Sequence, residues 1–78
     1  MLKGKGANAM TDAEKLAAYQ AMQQEVSALY ADAVARTARM KAQGRQKTAT
    51  YREALAWKIY YRNVLELYAR YGLGEKPE

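Results

Sequence analysis

The residues best placed to do chemistry in this chain are basic. Arg39, Arg45, Lys47 and Arg52 lie in and just before the stretch KAQGRQKTATYRE, residues 41–53, whose one acid is Glu53 at its far end. Guanidinium and ammonium groups gathered this way bind phosphate oxygens by charge alone. Thr48 and Thr50 add hydroxyl groups, and the N-terminus of a following helix would offer free backbone N–H groups to the same anion. A plainer role fits too: Arg36, Arg39 and Lys41 stand where the C-terminal end of a helix favours positive charge. No zinc finger, basic zipper or RNA-recognition motif accompanies the cluster.

The acids suggest less. Glu25 and Asp32 are seven residues apart and would share one side of a helix, a spacing that can bring two carboxylates together. Arg36 follows Asp32 by four positions, and Arg62 and Arg70 flank Glu66 at the same spacing, so ion pairing on the surface is expected for these carboxylates. The sequence contains no His and no Cys. That removes the commonest general base and metal ligand and any thiolate nucleophile or disulfide. The segment GKGAN near the start lacks the spacing and the preceding strand of a phosphate-binding loop. A protein without catalytic activity, cofactor or metal is expected.

Net charge is +5 over 78 residues, unevenly spread. The window from Arg36 to Arg62 holds eight basic residues against Glu53 alone, a net +7; the remainder holds five basic and seven acidic residues, a net −2. Such a basic excess suits a polyanion or an acidic protein surface, or serves solubility alone. The N-terminal MLKGKGANAM lacks the apolar stretch of a secretory signal. No apolar run approaches the ~20 residues of a membrane span; the richest, residues 54–64, is broken by Lys58, Arg62 and Asn63. The expected setting is the cytoplasm, away from membranes, and the absence of Cys fits a reducing compartment.

Two helices must position these groups. The first is expected over about residues 12–43. Thr11 and Glu14 form a capping box at its start. Leu16, Tyr19, Met22, Val26, Leu29, Tyr30, Ala33, Thr37 and Met40 then recur at helical spacing as one apolar stripe, and Gly44 is the stop. The second is expected over about residues 51–71, with Thr50 and Glu53 as a second capping box and Thr48 as the alternative cap. Its apolar face holds Ala54, Trp57, Tyr61, Val64, Leu65, Tyr68 and Tyr71, widened by Tyr60 and Leu67, with Trp57 filling the space between helices. Gly72 and Leu73 read as a Schellman ending. Residues 1–10 are expected to be a disordered extension, with Met10 an alternative initiator, and residues 74–78 a frayed tail.

A short join favours antiparallel neighbours, so the fold class is all-α, a long antiparallel helical hairpin. Helix 1 would be ~46 Å long and helix 2 ~32 Å, so helix 2 would cover its partner only down to about Met22 and leave Leu16 and Tyr19 bare. The face of helix 2 is also wider than one neighbour needs. Completion as a four-helix bundle by homodimerisation is therefore expected, with Leu16, Tyr19, Ile59, Tyr60 and Tyr61 as interface candidates and Tyr60 and Tyr61 directed to different flanks. A break near ALYADA, giving a three-helix bundle, and docking on another protein are the rival solutions. The expected function is a protein-interaction or assembly module; a nucleic-acid-binding accessory protein acting through Arg39, Arg45, Lys47 and Arg52 is the alternative.

Overall fold

The computed structural model describes residues 10–77 and is all-helical over them. Helix α1 runs Asp12–Ala42 without a break, and helix α2 runs Ala49–Arg70. The two pack against each other as a hairpin, 55 × 25 × 14 Å overall. Continuity of α1 through residues 28–33 sets the three-helix alternative aside. Of the expected disordered extension, residues 1–9 lie outside the described residues.

Each helix end has a local cause. At the start of α1, the Glu14 backbone N–H donates to Thr11 Oγ1 at 3.0 Å and the Thr11 N–H donates to Glu14 Oε1 at 2.8 Å, a complete capping box. The backbone and hydroxyl hydrogen bonds from Thr11 hold the Glu14 carboxyl below its ordinary value of 4.5. At the other end, Gly44 takes φ 73°, which lets Arg45 N–H reach Met40 O at 2.9 Å and Gly44 N–H reach Lys41 O at 3.0 Å. These two bonds are the Schellman pair. They recur at the end of α2, where Gly72 has φ 75°, Leu73 N–H bonds Tyr68 O at 2.9 Å and Gly72 N–H bonds Ala69 O at 3.0 Å.

The start of α2 differs from the expectation. The cap is Thr48, not Thr50. Its hydroxyl donates to Arg45 O at 2.8 Å and accepts from Tyr51 N–H at 3.1 Å, so one side chain closes the turn and caps the helix together. Thr50 lies inside the first turn of α2, and Glu53 is too far along to complete a box. A cap at Thr50 would lose the tie to Arg45 and shorten the helix, so Thr48 prevails.

The core between the helices is thin. Its buried residues are Ala33, Thr37 and Met40 of α1 with Ala54 and Leu65 of α2. Three of these five are small, which draws the helix axes together. The Thr37 hydroxyl would be costly to bury unpaired; it donates to Ala33 O and Val34 O of its own helix, each at 3.0 Å. Trp57, expected between the helices, is instead 49% exposed. With the seam itself built on Ala33, Thr37 and Ala54, the indole sits at its edge, beside a small cavity bordered by Leu29, Ala33 and Arg36.

The chain after α2 reaches further along α1 than the expected length of the helix allowed. Tyr68, Gly72, Leu73 and Gly74 border a groove of about 250 Å³ with Leu16, Tyr19, Gln20 and Gln23. The earlier start of α2 shifts no residue, but the Schellman turn folds Leu73 and Gly74 back onto α1. Glu75, Lys76 and Pro77, expected to be part of a frayed tail, border a depression with Gln23, Ser27, Tyr30 and Leu65.

Two outcomes follow for the caps. Thr48→Ala should lower the urea unfolding stability by about 1 kcal/mol, the ordinary worth of an N-cap, while Thr50→Ala should change it by only a few tenths; equal effects would contradict the observed cap. The depressed Glu14 carboxyl stabilises the fold above its unfolded value of 4.5, and that contribution is lost as pH falls through the lower folded value. The thermal midpoints of the natural chain and Glu14→Gln, followed by circular dichroism from pH 7 to pH 2, should therefore converge at the acid end.

Candidate functional site

Hairpin topology brings the four expected phosphate-binding residues to one end of the rod. Arg39 is in the last turn of α1, Arg45 and Lys47 are in the connection, and Arg52 is in the first turns of α2. All four side chains are exposed. Arg45 Nη1 donates to Gln43 Oε1 at 3.4 Å, a weak tether, and none of the four is in an ion pair among the described residues. The first turn of α2 carries no acid. Since Thr48 accepts only from Tyr51, the N–H groups of Ala49 and Thr50 have no acceptor within the helix. The turn end is thus a cationic surface with spare donors, chemically able to hold an anion.

The acids are dispersed. The ion pair among the described residues is Arg62 Nε with Glu66 Oε2 at 3.9 Å, partly exposed and so worth little. The expected pairings of Asp32 with Arg36 and of Arg70 with Glu66 do not form. Exposed pairs gain too little to hold two flexible side chains in one geometry. Among the described residues no group of three or more metal-ligating side chains converges, and no helix is long and apolar enough to cross a membrane.

The interface candidates do not form one surface. Leu16 and Tyr19, 54% and 64% exposed, line the groove at the open end. Ile59 is exposed on α2 and lies a quarter-turn or more from the aromatic flank by helix geometry. Tyr60 is exposed and Tyr61 half-buried toward α1, so they face different sides, yet their rings touch, with centroids 5.6 Å apart. Trp57 joins them, edge-on to Tyr60 at 5.7 Å and stacked with Tyr61 at 5.7 Å. Such geometries add about 0.5–1.5 kcal/mol per pair beyond burial, so the three rings hold one another in place although none is fully buried.

Trp57 is the functional candidate that sequence reasoning passed over. Its offsets of three and four residues from Tyr60 and Tyr61 are the contact spacing of a helix, and that was the available signal. Leu29, Asp32, Ala33 and Arg36 of α1 border a small cavity beside Trp57 and Tyr61, so the aromatic cluster continues onto the first helix.

Compared with models of protein families, with curated proteins and with solved structures, the chain matches none. The functional reading therefore rests on the two surfaces described: a cationic turn and an apolar, aromatic flank.

Ala54, 1% exposed, marks where the flank is decided. Ala54→Leu should force the helices apart and cost about 1–3 kcal/mol in chemical unfolding, with a change in Trp57 fluorescence as the indole finds a new environment.

Proposed function

We propose that this chain is a small non-catalytic protein-interaction and assembly module of the cytoplasm, which self-associates as a homodimer to complete a four-helix bundle. The observation that carries this reading is the exposed apolar surface. Leu16, Tyr19, Met22, Trp57, Tyr60, Leu67 and Tyr71 are all exposed on a two-helix hairpin. They fall in two regions, the open end of α1 and the outer side of α2, and exposed apolar patches mark interaction surfaces. Seven Tyr and no Phe suit the role, because a tyrosine has an apolar body and a polar tip that tolerates both solvent and contact.

A second reading, nucleic-acid binding through Arg39, Arg45, Lys47 and Arg52, is favoured by one observation: these four cations share the turn end with no carboxylate partner. The apolar flank does not follow from it, so it ranks below assembly.

Light scattering coupled to size exclusion tests the first reading. At tens of micromolar the expected mass is twice the 8.8 kDa of the chain; a clean monomer overturns the homodimer. Fluorescence anisotropy with a labelled duplex tests the second. Four phosphate contacts predict a slope of about −3.6 for log affinity against log salt, and replacing Arg45 and Lys47 by Gln should reduce its size by about half. No binding at low salt removes the phosphate reading.

A further inference from the structure

Helix α2 carries two packing seams. Ala54, Lys58, Tyr61, Leu65 and Tyr68 recur at steps of four and three and are buried or half-buried, so they form the seam against α1. Trp57, Tyr60, Val64, Leu67 and Tyr71 recur at alternating steps of three and four along the neighbouring side. That is the a/d spacing of a second helix-packing seam. Four of its five members are between 45% and 75% exposed, and Val64 is half-buried.

We infer that a second copy of this chain docks along the outer seam of α2 in antiparallel orientation, α2 against α2, related by a two-fold axis. The inference rests on the self-association proposed above and names its face and direction. The exposure of the seam and the charge pattern argue for the second copy. The seam's own members carry no charge, so two copies can meet without desolvating an ion.

Charge also sets the direction. Residues 36–62, gathered toward the turn end, have a net charge of +7; the described residues on either side, 10–35 and 63–77, have six acids against three bases, a net −3. Parallel docking would set the two basic turns side by side, whereas antiparallel docking lays each beside the more acidic open end of its partner, and like charges at close quarters oppose association. The ends of the seam agree. One step of four before Trp57 the seam position is Glu53, and Arg70 flanks the other end beside Tyr71. Neither is in an ion pair among the described residues. The register that packs Tyr60 against Val64 of the second copy brings Glu53 beside the second copy's Arg70, twice per dimer. In parallel docking Glu53 would meet Glu53 and Arg70 would meet Arg70.

The test uses the full chain and its lack of Cys. Glu53→Arg and Arg70→Glu should each weaken dimerisation by about tenfold in sedimentation equilibrium, and the double exchange should restore it to within about threefold. Leu67→Glu should give a monomer that remains helical by circular dichroism. Spin labels on Gln46→Cys should lie about 48 Å apart in the antiparallel dimer, from ~1.5 Å of rise per residue on either side of the axis, as read by pulsed electron resonance. Loss of dimer in the single exchanges without rescue, or labels within about 20 Å, overturns the antiparallel arrangement. A natural chain that is dimeric and stays so in Leu67→Glu overturns this face and leaves self-association standing. A monomeric natural chain overturns both.

Discussion

The hairpin depends on a reversal of direction within the six residues between Ala42 and Ala49. Two groups accomplish it. Gly44 enters the left-handed region, which costs a residue with a side chain about 1–2 kcal/mol, and so lets the last carbonyls of α1 find donors. The Thr48 hydroxyl then bonds in both directions, to Arg45 O and from Tyr51 N–H. Because Arg45 is also the residue whose N–H closes the Schellman turn on Met40, the end of α1 and the start of α2 are coupled through one peptide segment. The relative placement of the helices, and with it every surface feature, follows from that short coupled reversal.

A two-helix fold then meets a limit of geometry. Each helix has one neighbour, so only one seam per helix can be buried. Small residues at that seam, Ala33, Thr37 and Ala54, bring the backbones close but displace the large side chains to the sides. Trp57 is the clearest case: close packing of the helices and exposure of the indole are one constraint seen from two directions. The aromatic cluster is therefore no accident of a loose core. It is what remains outside when a tight core is built from small residues.

How much of this was legible depends on the range of the interactions concerned. The capping box of Thr11 and Glu14 and the stops at Gly44 and Gly72 are settled within a few residues, and pattern alone located them. The second cap was ambiguous because Thr48 and Thr50 are both competent locally; the bond from Thr48 to Arg45 decides between them and belongs to the turn, not the helix. The place of Trp57 was misread because it depends on how closely the helices pack, which a stripe on a helical wheel does not contain. The reach of Leu73 and Gly74 back to Leu16 and Tyr19 was missed for a related reason: lengths in residues do not register a chain that folds over after the helix ends. Of the candidate surfaces, the basic turn was readable because hairpin topology gathers it; the aromatic flank was readable only residue by residue.

The side chains of Arg45, Lys47 and Arg52 remain unnecessary to the turn, which Gly44, the Thr48 hydroxyl and the Arg45 backbone make without them. Their position at the far end of the rod has a consequence even with no ligand present. Mutual repulsion among four neighbouring cations is weakened by salt but not abolished over distances shorter than the ~8 Å screening length of physiological solution, so a second hairpin approaching in the same orientation meets a barrier that one approaching in reverse does not. Seen this way, the charge and the apolar flank are not two unrelated leads. The flank supplies a non-directional attraction, as apolar burial always does. A uniform apolar seam along a helix specifies neither polarity nor register. In the proposed dimer, an asymmetric charge distribution would supply the polarity, and residues at the seam ends such as Glu53 and Arg70 the register.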